Sequence, residues 1–95
     1  MNTSATAMNQ ARFNMIEQQI RPWDVLDAQV LELLDRVRRE DFVPSTHRAL
    51  AYADMELPLG AGLDEVMLAP KVQAKLVQDL QIQATDRVLE IGTGS

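Results

Sequence analysis

The segment that most constrains the fold is the run Asp86–Ser95. It opens with apolar, β-favouring residues, which is typical of a strand covered on both faces. These residues are Val88, Leu89 and Ile91. Gly92 and Gly94 follow at once, and a glycine after such a strand permits a sharp bend and a close approach of the backbone to a ligand. The pattern indicates either the opening of a nucleotide-type cofactor site in an α/β protein or a turn in which glycine only relieves strain.

Composition sets broad limits on the class of protein. The chain has 95 residues, no cysteine and a formal net charge of −5, and this length supports one small domain with a modest core. Disulfides and thiol-based metal sites are excluded, and the carboxylates Asp54 and Glu56 have no further ligand nearby, so we expect no metal. The acidic balance argues against a nucleic-acid surface. Because we find neither a secretion signal nor a membrane span, we expect a cytoplasmic protein.

The first predicted helix covers Asn9–Ile20 and follows a polar terminus, residues 1–8, that we expect to be disordered. Three apolar residues recur on one face of this helix at helical spacing. They are Phe13, Ile16 and Ile20. Pro22 should end the helix, because a proline pushes the residue before it, here Arg21, out of helical geometry.

Two further helices are predicted. Asp27 is a good N-cap for a helix that runs to about Val37, and Pro70 suits the first turn of a helix that ends near Leu80. The expected apolar faces are Leu26, Val30, Leu33, Leu34 and Val37 in the former helix and Val72, Leu76, Val77 and Leu80 in the latter. A basic run near the end of the former helix complements its dipole and should be solvated. It consists of Arg36, Arg38 and Arg39.

The stretch between these two helices is less regular. Phe42 and Val43 form a short apolar anchor, and Ser45 should cap a brief helical turn over residues 46–52. Residues 53–69 contain one proline and two glycines, so we expect an extended loop or a small hairpin there.

The resulting order is helix, helix, irregular segment, helix, strand and glycine turn. A single strand cannot form a sheet by itself, so this strand should belong to a parallel sheet whose other members lie beyond Ser95. We therefore expect the N-terminal part of a larger α/β protein. Its predicted organisation is a terminus at 1–8, a helical N-terminal cap with an irregular loop at 9–69, and the first helix, strand and glycine turn of a truncated second domain at 70–95.

Four separated motifs carry a family resemblance. They are Met15–Arg21 (MIEQQIR), Val37–Pro44 (VRREDFVP), Leu50–Gly60 (LAYADMELPLG) and Asp86–Ser95 (DRVLEIGTGS). In this order and spacing they resemble the N-terminal part of the protein-L-isoaspartate O-methyltransferases. The second is similar to the family's V-P-R-E-x-F-V-P element, with Arg38 in place of the usual proline. The third is similar to A-Y-x-D-x-P-L-P-I-G, and the last looks like the family's first S-adenosylmethionine motif.

The resemblance implies a class I methyltransferase fold, an α/β, Rossmann-like sheet of seven mostly parallel strands, of which only the first would be present here. It also implies S-adenosylmethionine as cofactor and an O-methyltransferase whose acceptor is a protein or a small molecule. The cofactor-binding residues would be Glu90, Gly92, Thr93, Gly94 and Ser95. Glu90 would orient the cofactor, and the turn would supply close backbone approach, N–H groups and hydroxyls. The 95 residues alone are expected to be inactive.

The chain departs from the family at the acceptor site, and its catalytic residues stay unassigned. The family's Q-T-I-S-x-P element aligns with Glu65–Pro70, so that Val66 replaces Thr and Leu68 replaces Ser. An aliphatic side chain cannot donate a hydrogen bond to a carboxylate, which costs about 1–3 kcal/mol per missing partner. This departure from the family pattern therefore favours an altered, more apolar acceptor. Gln73 stands where the family has a cofactor-proximal histidine.

Two other interpretations stay open. A degenerate methyltransferase-like domain that binds or scaffolds a partner without turnover would explain the lost hydroxyls. A nicotinamide-binding Rossmann protein is the other, although such folds usually open with the strand rather than with helices. The exposed strand edge predicts self-association of the 95 residues. His47 should be exposed, and Trp23 should pack over the first helix.

Overall fold

The computed structural model describes residues 3–60, 62 and 64–95, and helices dominate it. In chain order the elements are α1 (Thr3–Met15), a π-helical turn (Ile16–Ile20), a 3-10 turn (Arg21–Trp23), α2 (Ala28–Arg36), 3-10 turns at Arg39–Phe42 and Ser45–Leu50, β1 (Leu57–Pro58), β2 (Val66–Met67) and α3 (Pro70–Leu80). No helix in this described part is long and apolar enough to cross a membrane.

The first helix begins earlier than the sequence predicts. α1 starts at Thr3 instead of Asn9, so residues 3–8 have helical backbone where we predict a disordered terminus. Residues 1 and 2 of that predicted terminus lie outside the described residues. Met8 packs against the core, and extending a helix costs little once its later turns have nucleated and packed.

The first helix also continues past its predicted end. Arg21 keeps helical dihedrals (φ −61°, ψ −41°) in front of Pro22, so the expected break at this residue is wrong. In an α-helix a proline ring clashes with the carbonyl four residues earlier. The π turn Ile16–Ile20, which closes with an N–H bond to the carbonyl five residues earlier, changes that spacing. The helical path then ends one residue after Trp23, at Asp24, whose φ is +62°.

α2 confirms the predicted N-cap. Asp27 has extended backbone, and its carboxylate accepts the N–H groups of Gln29 and Val30 at 2.9 and 3.1 Å. Only Val30 of the predicted apolar face is fully buried, and Leu34 is half-buried. The other members are exposed: Leu26, Leu33 and Val37.

Replacing Asp27 by alanine should destabilise the full-length protein by about 1 kcal/mol, because two N–H groups at the start of α2 lose their acceptor. Urea denaturation measures this change. Asp27→Asn keeps a capping oxygen and should cost only a few tenths of a kcal/mol. Equal losses in the two variants would contradict the capping role.

Residues 53–69 form a small hairpin, one of the two predicted alternatives. β1 pairs antiparallel with β2, with Leu57 opposite Met67 and Pro58 opposite Val66. Leu57 and Met67 are both buried. The hairpin therefore contributes one side of its ribbon to the core.

α3 has the predicted bounds and carries Pro70 in its first turn. Its buried side differs from the prediction, because Pro70 and Ala74 are buried whereas Leu76 and Leu80 are exposed. α3 packs against α2 and the π turn. Its larger aliphatic side chains point instead into the cleft described below.

One apolar core joins these elements. Its members are Met15, Ile16, Ile20, Val25, Val30, Val43, Ala51, Tyr52, Leu57, Met67 and Ala74. Val43 anchors its segment as predicted, while Phe42 is exposed. Ser45 begins a 3-10 turn without a capping hydrogen bond from a side chain, so its predicted capping role is wrong.

Residues 81–95 contain neither helix nor strand. The predicted strand around Val88 is not formed, and Leu89 and Ile91 are 85% and 89% exposed. A strand needs a neighbour to complete its hydrogen bonds, and in the described residues β1 and β2 pair only with each other. The expectation of one strand of a parallel sheet is therefore corrected: this chain is helical with a small antiparallel hairpin.

Candidate functional site

The glycine turn faces α3 and the hairpin across a cleft of about 700 Å³. From the hairpin side the cleft is lined by Leu59, Val66 and Leu68, from α3 by Gln73, Leu76 and Leu80, and from the turn by Glu90, Gly92, Thr93, Gly94 and Ser95. Small-molecule sites typically have volumes of about 300–1,000 Å³. The structure thus brings all five sequence-predicted site residues to one cleft of suitable size.

Both glycines of the turn have a backbone conformation that favours glycine. Gly92 has φ +77° and Gly94 has φ +85°, a region in which a Cβ atom is strained. A Cβ on Gly92 would meet nothing within 4 Å, whereas one on Gly94 would lie 3.0 Å from Cδ1 of Leu59. The turn therefore favours glycine for its conformation at both positions, and a Cβ at Gly94 would also require Leu59 to shift by a few tenths of an ångström.

The turn also presents backbone donors. Ser95 N–H bonds to the Thr93 carbonyl at 3.1 Å, but none of the hydrogen bonds in the described part of the chain uses the N–H of Gly92, Thr93 or Gly94. Successive free N–H groups in a turn suit an anion such as a carboxylate. Glu90 lines the same cleft, and its carboxylate suits an ammonium group. These groups fit the amino-acid end of S-adenosylmethionine, which carries both charges.

The two departures from the family pattern lie in the same cleft as the turn. Val66 belongs to β2 and Leu68 follows it, and both side chains are half-buried. Both residues line the cleft together with the glycine turn. This part of the wall is therefore aliphatic.

A buried polar network escaped the sequence reasoning. Arg12 Nε donates to the Tyr52 hydroxyl at 2.9 Å, and Arg12 Nη2 lies 3.4 Å from Glu40 Oε2. Tyr52 in turn donates to Glu40 Oε1. Arg12 and Glu40 are only 8% and 4% exposed. A signal was present, because Arg12 lies on the same helix face as Met15 and Ile16, where a cation needs a buried partner.

Arg39 connects this network to the wall of the cleft. Its acceptors are the Tyr52 hydroxyl (3.2 Å, from the backbone N–H), the carbonyls of Ala51 (2.6 Å) and Leu68 (2.8 Å), and the Gln73 carboxamide. Arg39 is half-buried, while Arg36 and Arg38 are exposed. The prediction of a solvated basic run is therefore wrong for Arg39, and burial lowers the pKa of its guanidinium.

The buried pair Glu40 and Tyr52 titrates away from ordinary values. Burial acts to raise the pKa of Glu40, but the Tyr52 hydrogen bond, a backbone hydrogen bond and the charges of Arg12 and Arg38 outweigh it, so this pKa is lowered. Burial, aided by the hydrogen bond to Glu40, raises the pKa of Tyr52. The network thus favours a charged carboxylate beside a neutral phenol.

These two shifts predict how stability depends on pH. The lowered pKa of Glu40 stabilises the fold above its ordinary value of about 4.3, and this contribution is lost as pH falls through the folded-state pKa. The raised pKa of Tyr52 stabilises the fold below about pH 10, and that contribution is lost as pH rises further. The urea midpoint of unfolding of the full-length protein should therefore fall both at acid pH and at alkaline pH. In Glu40→Gln the midpoint should depend less on pH in the acid range, and in Tyr52→Phe it should depend less on pH in the alkaline range. The same pH dependence in the variants as in the native protein would contradict the network.

The remaining candidate residues do not line the cleft. Trp23 is 44% exposed and carries Lys71 Nζ 4.8 Å from its ring centroid, and Lys71 also pairs with Asp54 at 3.2 Å. His47, predicted to be exposed, is half-buried. Within the ranges that the structure describes, no three His, Asp or Glu side chains converge as a metal site.

Comparison with known proteins decides the family. The family model described as Protein-L-isoaspartate(D-aspartate) O-methyltransferase matches residues 9–95. This chain belongs to the protein-L-isoaspartate O-methyltransferase family. The match runs through the glycine turn and confirms the resemblance carried by the four motifs. Membership in the protein-L-isoaspartate O-methyltransferase family implies a class I methyltransferase fold, with which the observed helices and hairpin are compatible.

Individual relatives agree with this assignment. The chain is 42% identical over 84 residues to Protein-L-isoaspartate O-methyltransferase 2 of Anaeromyxobacter sp. (strain Fw109-5), covering 88% of this chain and 34% of the relative. It is 37% identical over 95 residues to Protein-L-isoaspartate O-methyltransferase 2 of Marinobacter nauticus, covering 100% and 42%. It is 39% identical over 95 residues to Protein-L-isoaspartate O-methyltransferase 1 of Rhodopseudomonas palustris, covering 100% and 38%. The chain spans roughly a third to two fifths of the length of these curated relatives.

Proposed function

We propose that the chain supplies the N-terminal helical part and the glycine turn of an S-adenosylmethionine-dependent O-methyltransferase. The observation that carries this proposal is the turn at Gly92 and Gly94, whose positive φ angles and free N–H groups face a cleft of ligand size. The family match over residues 9–95 supports the same assignment. The cytoplasmic location, the absence of nucleic-acid partners and the division at residue 70 stay predictions.

Each part of the cleft has a task in this proposal. When bound, the cofactor would supply an electrophilic methyl group carried on a positively charged sulfur. The free backbone N–H groups of Gly92, Thr93 and Gly94 would receive its carboxylate, and Glu90 would pair with its ammonium group. The aliphatic wall excludes water. Positioning and desolvation are the chief means by which such a site accelerates a displacement.

Calorimetric titration of the full-length protein tests the proposal. S-adenosylmethionine and its demethylated product, S-adenosylhomocysteine, should each bind at one site. S-adenosylhomocysteine without its carboxylate should bind much more weakly, because the N–H groups of the turn lose their anion. The absence of binding heat with both cofactor forms would overturn the assignment.

We further propose that the methyl acceptor is altered. Val66 and Leu68 line the cleft without a hydroxyl, so an isoaspartyl carboxylate would lack partners worth about 1–3 kcal/mol each. Transfer of labelled methyl groups to an isoaspartyl peptide should be slow in the native protein and faster in the double variant Val66→Thr/Leu68→Ser. Fast transfer by the native protein would contradict an altered acceptor.

The loss of both hydroxyls also favours a second candidate, a degenerate methyltransferase-like domain that binds or scaffolds a partner. Binding of S-adenosylhomocysteine without transfer to any peptide or small-molecule acceptor would support it. Measured methyl transfer would exclude it.

We propose that the 95 residues on their own are inactive and self-associate. Leu89 and Ile91 are exposed, as are several aliphatic side chains of α3, and covering them is favourable by about 25 cal/mol per Å² of apolar area. Sedimentation of the isolated 95 residues should show association that depends on concentration. A monomer that unfolds cooperatively would contradict this proposal.

A further inference from the structure

We propose that Arg39 is a positioning residue of the cleft: its guanidinium holds the Leu68 carbonyl and orients the Gln73 carboxamide so that the amide N–H₂ is free for a ligand. The ligand group would be an oxygen that accepts a hydrogen bond, on the part of the ligand that lies opposite the glycine turn. This inference rests on the proposed function, because it needs that cleft to bind a ligand.

The geometry of the guanidinium supports this role. Nη2 donates to the Leu68 carbonyl at 2.8 Å, and Nη1 donates to Gln73 Oε1. Nε donates to the Ala51 carbonyl at 2.6 Å. A guanidinium is a rigid planar fork, so these three acceptors are fixed relative to one another. Arg39 therefore ties the segment after β2 to the first turns of α3, where both meet the cleft.

The orientation of Gln73 follows from the chemistry of its partner. A guanidinium has donors but no acceptor, so the Gln73 atom that faces Arg39 must be the oxygen. The amide nitrogen is then directed away from Arg39. No hydrogen bond in the described part of the chain uses Gln73 Nε2, and Gln73 lines the cleft together with the glycine turn. Arg39 thus converts a side chain that rotates freely into an oriented donor.

Arg39 is itself held from the other side. Its backbone N–H donates to the Tyr52 hydroxyl at 3.2 Å, and that hydroxyl is bonded to Arg12 and Glu40 within the buried network. A side chain anchored in this way keeps its fork in place without help from the ligand. Ligand binding then does not have to offset the entropy cost of ordering the Gln73 side chain.

A double-mutant cycle in the full-length protein tests the inference, with S-adenosylhomocysteine as the probe in calorimetry. Arg39→Lys keeps the charge but loses the fork, and Gln73→Ala removes the oriented amide. Each change should weaken binding about tenfold. The double variant should also bind about tenfold more weakly, rather than a hundredfold, because both changes remove the same donor, the oriented Gln73 amide. Arg48→Lys is the matched control. Arg48 donates to the Glu40 carbonyl at 3.2 Å and does not line the cleft, so binding should be unchanged.

Gln73→Glu separates positioning from folding. It keeps an acceptor for Arg39 but removes the amide donor, so it should preserve the melting temperature and still weaken binding about tenfold. Three results would each overturn the inference alone. The first is a hundredfold loss of affinity in the double variant, and the second is an affinity of Arg39→Lys equal to that of Arg48→Lys. The third is native affinity in Gln73→Glu. If the native protein binds neither S-adenosylmethionine nor S-adenosylhomocysteine, the proposed function fails, and the inference falls with it.

Discussion

Glu40→Ala is expected to destabilise the full-length protein by about 3–5 kcal/mol, the loss typical of removing one partner from a buried ion pair. Glu40 is 4% exposed and lies 3.4 Å from Arg12 Nη2. Its carboxylate also accepts the Tyr52 hydroxyl. Alanine would leave the Arg12 guanidinium, itself 8% exposed, buried without an anion. Small proteins have a free energy of unfolding of about 5–15 kcal/mol, so this single change should remove a large part of it.

Urea denaturation of full-length variants measures this loss, and Glu32→Ala is the control. Glu32 pairs with Arg36 on the exposed side of α2, and such pairs contribute about 0.5 kcal/mol or less. Glu40→Gln keeps the shape and the acceptor of Glu40 but not its charge, and should fall between the two. A Glu40→Ala loss no larger than that of Glu32→Ala would show that the network does not hold the fold.

Gly94→Val should lower the affinity for S-adenosylhomocysteine about a hundredfold. Holding a residue with a Cβ at φ +85° costs about 1–3 kcal/mol. The new side chain would also press on Leu59, whose Cδ1 would lie 3.0 Å from the Cβ. Every 1.4 kcal/mol lowers affinity tenfold, so strain and overlap together account for the expected change.

Calorimetry with the full-length variants provides the measurement, and thermal melting checks the fold. Gly94 is exposed and lies outside the helices and the hairpin, so the unbound turn can relax this strain and the melting temperature should change little. Gly62→Ala is the control, because Gly62 has no positive φ and its Cβ would meet only the flexible Glu65 side chain. Native affinity in Gly94→Val would mean that the turn does not contact the ligand.

Local chemistry made several elements predictable from the sequence. The Asp27 cap and the bounds of α3 follow from hydrogen bonding and proline geometry within a few residues. The glycine turn follows from the same kind of rule, since positive φ angles at Gly92 and Gly94 require no distant partner. Such features depend on covalent geometry and on hydrogen bonds between near neighbours, so they need no partner distant in the sequence.

Other elements depend on partners distant in the sequence. The network of Arg12 and Glu40 joins residues 28 apart, so no local pattern pairs the two side chains. The π turn before Pro22 depends on how the first helix packs. The predicted strand around Val88 needs a neighbouring strand to satisfy its backbone. Burial and pairing of this kind are properties of the whole fold, which is why the sequence alone misses the network and the π turn and wrongly predicts the strand.

A crystal structure of the full-length protein with S-adenosylhomocysteine tests most directly whether Gly92–Ser95 form part of a cofactor site. We predict that the amino-acid end of the ligand lies against the N–H groups of this turn, with Glu90 near its ammonium group and Gln73 on the opposite wall of the cleft. A ligand bound elsewhere, with the turn facing solvent or continuing as an ordinary helix, would contradict that prediction.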